Sequence, residues 1–222
     1  MTRGTNPQWC QVVEGISPSH LVPPVALDLP SIPAALLFPL DCGRCYNASM
    51  NEKVTTAEDV LEIVAILEGA GVDVWLDGGW AVDALARRQT RQHEDLDVVV
   101  DLDRVETIER ILGERGFTVS EDELPTRLAM EDAKGRTIDF HTVTFDEEGG
   151  GIQKLQRDRS YRYPPQGFVG MGEVGGQRVN CLTAEVLAEC HYGYEPDDKD
   201  RHNMQVLNQC FGIELKEPYS GD

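Results

Sequence analysis

From about residue 50 onward, apolar and polar residues recur at regular spacings. Apolar residues recur at the spacing of one helical face between Val60 and Leu67, and Thr56 and Asp59 before them have the spacing of a capping box. The same period, with its start and stop residues, predicts further helices over 80–87, 103–116, 184–191 and 198–211. Alternating or continuous apolar runs predict strands over 72–76, 96–100, 117–120, 127–131 and 137–145.

This order of elements predicts an α/β (α+β) fold with a short mixed sheet flanked by helices, followed by C-terminal helices. Residues 1–49 show no useful period and hold seven of the 12 prolines, which predicts an irregular arm. Because Met50 has the features of a native start, the arm is interpreted as an upstream extension. We expect a domain over 50–180 and a helical segment over 181–222 packed on it. Residues 146–170, rich in Gly, Pro and Arg, predict a long loop that covers a substrate.

Charge and composition narrow the class of protein. Acidic side chains outnumber basic ones by 39 to 20, a formal charge of −19, which disfavours nucleic acid as a partner and favours a cationic small molecule. The longest apolar stretch, Ile32–Leu40, holds two prolines and is too short to cross a bilayer. Six irregularly spaced cysteines, among them Cys42 and Cys45, form neither a disulfide framework nor a complete zinc site. These features predict a cytoplasmic globular protein without a membrane segment.

Carboxylates in apolar strands are the first candidates for chemistry. Asp95 and Asp97 are two residues apart at a predicted strand, so both side chains would share one face and repel each other unless a cation binds between them. Asp139 lies within a second apolar strand, where an unpaired charge would be costly. Three converging carboxylates suit Mg²⁺, which accepts carboxylate and phosphate oxygens. The aspartates therefore predict a magnesium site of the kind that nucleotidyl transfer needs.

Gly78 and Gly79 lie between a predicted strand and a predicted helix. Because glycine has no Cβ atom, the backbone N–H groups at such a helix start can approach a phosphate. Strand-to-helix turns often contain glycine for structural reasons alone, so the pair gains its meaning from the aspartates that accompany it. The combination favours a site for a nucleoside triphosphate.

The chain resembles the antibiotic nucleotidyltransferases of the DNA polymerase β-like superfamily, over about residues 55–210. The segments that carry this resemblance are Gly78-Gly79-Trp80, Asp83 and His93-x-Asp95-x-Asp97. Within that group, the small lincosamide nucleotidyltransferases are favoured over the aminoglycoside 2″-adenylyltransferases. The segments that favour them are Pro125-Thr126-Arg127, Asp139-Phe140-His141 and His191-Tyr192-Gly193-Tyr194, with Asp197 to Asp200 following.

The resemblance implies a polymerase β-like nucleotidyltransferase domain over 50–180 and a role for each matching residue. It implies that Asp95, Asp97 and Asp139 hold Mg²⁺ and that Asp139 is also the general base. The residues implied to contact the nucleotide are Gly78, Gly79, Arg91 and His93. A core or helix-capping position is the alternative for His93. The residues implied to lie on the acceptor side are Arg127, His141, His191, Tyr194 and Asp197.

The implied reaction is Mg²⁺-dependent transfer of AMP from ATP to a hydroxyl of a small antibiotic, by preference a lincosamide, with release of pyrophosphate. The enzyme would be a monomer or a homodimer. One alternative is an aminoglycoside or another small molecule as the acceptor. A second alternative is a non-catalytic nucleotide-binding module of a regulatory or toxin–antitoxin system. The three retained aspartates argue against the second, because a site without activity does not need costly carboxylates.

Overall fold

A mixed β-sheet organises the residues that the computed structural model describes, which are 53–157, 159–192 and 194–220. Its strands are β1 (Trp75–Leu76), β2 (Leu96–Asp101), β3 (Phe117–Glu123), β4 (Arg127–Asp132), β5 (Thr137–Phe145), β6 (Gly151–Lys154), β7 (Ser160–Tyr163), β8 (Gly170–Val174) and β9 (Gln177–Cys181). The helices are α1 (Ala57–Gly69), α2 (Gly78–Ala86), α3 (Val105–Gly113), α4 (Ala184–Cys190) and α5 (Asp198–Phe211). The predicted arm over 1–49, with Cys42 and Cys45, lies outside the described residues.

The strands join in the order β3-β4-β5-β2-β1-β9-β8, with β6 paired to β5 and β7 paired to β6. β2 runs parallel to β5, and β1 runs parallel to β9. The pairs β3–β4, β4–β5, β1–β2 and β8–β9 are antiparallel. Helix α2 packs on β2 and β8, and α3 packs on β3. The predicted α/β architecture, a mixed sheet flanked by helices, is thus confirmed.

Strand alternation gives the sheet one closed face and one face that solvent can reach. On β2, β4 and β5 the even-numbered apolar side chains are at most 1% exposed; they are Leu96, Val98, Val100, Leu128, Met130, Ile138 and Phe140. The odd-numbered positions of the same strands include charged side chains that are only partly buried. We call this odd-numbered side the accessible face. Because a site needs contact with solvent, it can form only on the accessible face.

The start of α1 follows its sequence signal, whereas α2 begins two residues before the predicted start and α3 is shorter than 103–116 at both ends. At the start of α1, the N–H of Asp59 donates to Thr56 Oγ1 (3.2 Å) and the N–H of Thr56 donates to Asp59 Oδ2 (3.0 Å), so the predicted capping box is confirmed. None of the helices within the described ranges has the length and apolar character needed to cross a membrane.

The C-terminal helices α4 and α5 pack against each other and against α2. The described residues all belong to one compact unit. Strand β9 runs across residue 180, where the sequence suggested a boundary. The division into 50–180 and 181–222 stays a prediction.

The prediction of a long loop over 146–170 is wrong. The segment contains β6, β7 and a 3-10 helix, Pro165–Val169. Its aromatic side chains pack on the sheet: Tyr163 is 3% exposed, and the ring of Phe168 lies 5.0 Å from that of Trp75. Strands of four residues are too short to show a clear period, so the Gly, Pro and Arg content dominated the sequence pattern.

The sequence pattern did not predict the β8–β9 hairpin, although Gly175 and Gly176 (φ +55° and +80°) form a two-residue turn typical of hairpins.

Arg136 forms a buried ionic network that we expect to stabilise the fold. Its side chain is 8% exposed and lies 2.8 Å from Asp132 and from Glu62, and 3.3 Å from Asp59. Arg136→Gln should lower the free energy of unfolding by about 3 kcal/mol, because it leaves the buried carboxylate of Asp132 without its partner. Urea unfolding measures this value. The control, Arg110→Gln, removes only an exposed ion pair and should cost at most about 0.5 kcal/mol.

The same network predicts a pH dependence of stability. Burial raises the pKa of Asp132, but hydrogen bonds from Arg136 and its neighbours outweigh burial, so the folded pKa is lowered. A lowered folded pKa gives stability that is fully present above the unfolded value, about 3.9, and is lost as the pH falls through the folded pKa. Arg136→Gln should therefore lose less stability than the wild type between about pH 4 and pH 2. Equal losses would contradict the assignment.

Candidate active site

Three aspartates lie in one row across the accessible face. Strands β2 and β5 pair so that Asp97 is opposite Asp139. Asp77 follows β1, whose Leu76 is opposite Val98, and the N–H of Asp77 donates to the carbonyl oxygen of Asp97 (2.9 Å). Residues that pair on neighbouring strands point to the same face. The fold therefore brings three carboxylates side by side on one surface.

His141 lies next to this row, two residues after Asp139 on β5. Its Nδ1–H donates to Asp77 Oδ2 (2.9 Å), while Asp77 Oδ1 accepts the N–H of Gly78 (2.7 Å). Burial lowers the pKa of His141, but the bond to Asp77 and the charges of the three aspartates raise it to about 9. Burial raises the pKa of Asp77, yet the bond and charge of His141 lower it overall. The two residues therefore form an ion pair at neutral pH.

Asp97 has the least compensated negative charge of the row. Burial raises its pKa; the charge of His141 lowers it, and the charges of Asp95, Asp77 and Asp139 raise it again, so that the net shift is upward. One side-chain ligand atom from each of Asp97, Asp139 and His141 lies within 4.8 Å of the other two. Carboxylate oxygens gathered in this way suit a hard divalent cation.

Asp139 has a cationic partner on the neighbouring strand. Arg127 on β4 is opposite His141, and its Nε lies 3.0 Å from Asp139 Oδ2. Burial raises the pKa of Asp139, and the charges of His141 and Arg127 lower it only in part, so that it stays above its ordinary value. The guanidinium of Arg127 also forms ion pairs with Glu121 and Glu123 on β3.

Helix α2 begins directly against the aspartate row. Gly78 has a φ of +55°, and a Cβ atom there would overlap with the carboxylate of Asp97. A Cβ atom on Gly79 would overlap with the guanidinium of Arg91 and with the ring of His93. The two glycines therefore let the N-terminus of α2 approach both the carboxylates and a cationic side chain, a surrounding that suits phosphate.

Arg91 and His93 lie on the other side of the glycine pair. Arg91 donates from Nη1 to the carbonyl oxygen of Gln92 (2.9 Å) and from Nε to Asn203 Oδ1 (3.3 Å). His93 is 2% exposed, and its Nε2 lies 2.6 Å from Asp83 Oδ2. The His93 ring packs on Trp80, 4.5 Å between centroids. His93 thus has the core position that the sequence left open as the alternative.

The expectation that Asp95 lies on the strand with Asp97 is wrong. Strand β2 begins at Leu96, and Asp95 is exposed in the bend before it. Asp95 is outside the group formed by Asp97, Asp139 and His141, although its charge contributes to the raised pKa of Asp97. The apolar run that predicted this strand also begins at Leu96, and Leu96 is the first residue of β2 that pairs with β5, so Asp95 lies outside this ladder.

The three C-terminal residues predicted for the acceptor side lie around the start of α5. The side chain of Asp197 caps this helix by accepting the N–H of Asp200 (2.8 Å). Tyr194 donates from its hydroxyl to Asp200 Oδ1 (3.0 Å) and is half exposed. His191 is buried, and its Nδ1–H donates to the carbonyl oxygen of Leu187 (2.7 Å). All three have structural partners in α4 or α5, and their contact with an acceptor stays a prediction.

Sequence reasoning missed Asp77 as a site residue. Asp77 ends an apolar run and comes directly before Gly78, which is the position of a helix N-cap. The sequence therefore contained the signal for a helix cap. It did not show that Asp77 is hydrogen-bonded to His141, which lies 64 residues further along the chain.

The fold and the site together define the class of protein. A mixed sheet carries aspartates on neighbouring strands beside a helix that starts at two glycines, the arrangement that the motifs predicted for a nucleotidyltransferase. Two solved structures share the fold. The lincomycin-bound lincosamide adenylyltransferase LnuA superposes with a TM-score of 0.65 at 23% identity, over 71% of this chain and 99% of its own. The aminoglycoside enzyme ANT(2″)-Ia, in complex with adenylyl-2″-tobramycin, gives a TM-score of 0.56 at 20% identity, over 69% and 87%.

The chain belongs to the aminoglycoside-2″-adenylyltransferase family, which matches residues 59–207. A lincosamide resistance protein of Staphylococcus haemolyticus is 23% identical over 158 residues, 71% of this chain and 98% of the relative. A 2″-aminoglycoside nucleotidyltransferase of Escherichia coli is 34% identical over 61 residues, 28% of this chain and 34% of the relative. The enzyme class predicted from the motifs, a nucleotidyltransferase, is confirmed.

Proposed function

We propose that this enzyme transfers AMP from ATP to a hydroxyl of a small antibiotic, with a lincosamide as the favoured acceptor, and releases pyrophosphate. The single observation that carries the proposal is the row of Asp77, Asp97 and Asp139 beside the start of α2. Such a row would bind a metal–triphosphate complex and would leave one carboxylate for the acceptor.

Magnesium fits the side chains of this site. Asp97 and Asp139 supply the hard oxygen ligands that Mg²⁺ requires, and Asp95, which precedes β2 by one residue, is the third proposed ligand. The raised pKa of Asp97 supports a cation here, because its cause is burial among like charges. His141 is not proposed as a ligand, since it is bonded to Asp77 and Mg²⁺ prefers oxygen. When bound, the cation would neutralise charge that develops on the phosphates.

The remaining residues would bind and orient the two substrates. Backbone N–H groups at Gly78 and Gly79 and the guanidinium of Arg91 would contact the triphosphate. Asp139 would accept the proton of the acceptor hydroxyl; its raised pKa brings its basicity closer to that task. Arg127 would hold Asp139 in place through its ion pair.

The lincosamide relative supports a lincosamide acceptor, because the likeness covers nearly all of that protein. The family match and the shorter aminoglycoside alignment favour the second candidate, an aminoglycoside acceptor. The two candidates share the chemistry and differ in the acceptor.

Pyrophosphate release distinguishes the candidates. The wild type is incubated with Mg²⁺ and ATP, or another nucleoside triphosphate, and with lincosamides and aminoglycosides in turn, and the adenylylated product is identified by mass. We expect release only with an acceptor and with Mg²⁺, and a kcat/KM for lincosamides at least about tenfold above that for aminoglycosides, equivalent to about 1.4 kcal/mol. A higher kcat/KM for aminoglycosides would instead favour an aminoglycoside as the acceptor. Nucleotide binding without transfer to any acceptor would favour a non-catalytic module instead.

A further inference from the structure

An irregularity in β3 decides which face of the sheet its acidic residues occupy. Val119 is opposite Met130, whereas Glu121 is opposite Ala129, so that Ser120 is an extra residue in the ladder. Without this β-bulge, Glu121 would be opposite Leu128, on the closed face of the sheet. Bulges of this kind often lie beside functional sites, because they turn side chains to the other face.

The bulge extends the charged surface of the site by one more strand. Glu121, Ala129, Asp139 and Asp97 follow one another in a single row across β3, β4, β5 and β2. In the adjacent row, Glu123 is opposite Arg127, which is opposite His141. Both glutamates therefore lie on the accessible face, on the same side of the sheet as the proposed active site.

Arg127 connects the glutamates with Asp139. Its Nε lies 3.0 Å from Asp139 Oδ2, its Nη2 forms an ion pair with Glu121, and its Nη1 lies 3.8 Å from Glu123. Ala129, between Glu121 and Asp139 in the row, has a side chain small enough for one guanidinium to reach both carboxylates. The planar guanidinium is thus held on two sides, by β3 and by β5.

A long arginine side chain without such partners samples many rotamers. The two glutamates remove that freedom and leave the Nε–H directed at Asp139. Each glutamate already has this guanidinium as its partner, so the geometry supports ion pairs with Arg127 rather than contact with an acceptor.

We propose that Glu121 and Glu123 are positioning residues, which act through Arg127 to hold the Asp139 carboxylate in the orientation that nucleotidyl transfer requires. This inference rests on the proposed function. Among the described residues, Arg127 is the side chain that links either glutamate to Asp139, so we expect an effect on the reaction to pass through Arg127.

The test compares the double variant Glu121→Gln/Glu123→Gln with the control Asp122→Asn. Asp122 lies between the two glutamates, and within the described part of the chain its carboxylate accepts one hydrogen bond, from the N–H of Leu124, which asparagine retains. We expect the double variant to lower kcat about tenfold with the KM values for ATP and acceptor within about twofold, since a small misplacement of a reacting group is costly. The control should keep the wild-type kcat. Melting temperatures should agree, because exposed ion pairs contribute little to stability.

A double-mutant cycle identifies the route of the effect. Arg127→Gln alone should lower kcat at least as much as the glutamate pair does, and adding the glutamate changes to Arg127→Gln should lower it no further. A raised acceptor KM with unchanged kcat, or an additive loss in the triple variant, would overturn the proposal and indicate direct contact with the acceptor. An unchanged kcat in the double variant would overturn it as well.

A measurement without turnover separates this inference from the proposed function. The Nε–H proton of Arg127 should exchange with water more rapidly in the double variant than in the wild type or in Asp122→Asn. Exchange is followed by the ¹H–¹⁵N resonance of this group, which is assigned by its loss in Arg127→Lys. If the wild type transfers AMP to no acceptor while this resonance responds as expected, the proposed function fails and the positioning of Arg127 stands. If transfer occurs and the resonance does not respond, the positioning role is refuted.

Discussion

Asp97→Asn should abolish nucleotidyl transfer while the fold stays intact. The substitution removes a charged ligand from the centre of the aspartate row, and we expect turnover to fall at least ~10³-fold, equivalent to about 4 kcal/mol of transition-state stabilisation. Asp95→Asn should cause a loss of the same order if Asp95 joins the metal from the bend before β2. Pyrophosphate release at saturating ATP and Mg²⁺ measures both effects.

The same variant should melt at an equal or higher temperature in the absence of Mg²⁺. Burial and the neighbouring aspartates raise the pKa of Asp97 in the folded state. A raised folded pKa of an acid means that its ionisation costs stability, which the wild type loses as the pH rises from about 4 toward the folded pKa. Asparagine has no charge at this position, so the variant should not show that loss.

Asp101→Asn is the matched control, because Asp101 lies at the other end of β2 and caps the following 3-10 helix, a role that asparagine can fill. It should keep both activity and stability. Transfer by Asp97→Asn within tenfold of the wild type would refute the metal assignment.

Asp139→Asn should lower turnover far more than it weakens ATP binding. Asp95 and Asp97 would still hold the metal–nucleotide complex, whereas proton removal from the acceptor would be lost, a loss of about 10²- to 10⁴-fold. The wild-type pH–rate profile should show an acidic limb, because protonation of Asp139 removes both the proposed base and a proposed metal ligand. That limb should be missing from whatever activity the variant retains.

Nucleotide affinity, single-turnover rate and melting temperature are to be measured on the same preparation of Asp139→Asn. Arg127 loses its charged partner in this variant, so a lower melting temperature alone decides nothing. A destabilised enzyme with normal turnover per folded molecule would show that Asp139 has a purely structural role. Equal losses in binding and turnover would instead make it a ground-state ligand only.

The sequence predicted the elements whose signals are local. The capping box at Thr56 and Asp59 and the nine-residue strand over 137–145 were predicted at the bounds that the structure has. Local signals are sufficient there, because a helix cap needs only residues three apart and a long strand shows its alternation over many positions. Short strands do not show alternation over enough positions, which is why the sequence pattern of β6 and β7 predicts a loop.

The motifs by themselves also indicated the candidate chemistry. An unpaired charge in an apolar strand is costly, so Asp97 and Asp139 predicted a bound cation. Gly78 and Gly79 predicted a backbone that can contact phosphate. Each of these inferences uses one residue and its immediate neighbours along the chain. The sequence therefore determined which kind of reaction this protein is built for.

Only the tertiary structure decided which distant residues meet. The parallel register of β2 with β5 sets Asp97 opposite Asp139, and a change of one residue would turn one carboxylate to the closed face. The partnership of His141 with Asp77, and the bulge that brings Glu121 beside Arg127, depend on strand pairing in the same way. Pairing registers are fixed by the packing of the whole sheet against its helices, so no local pattern in the chain contains them.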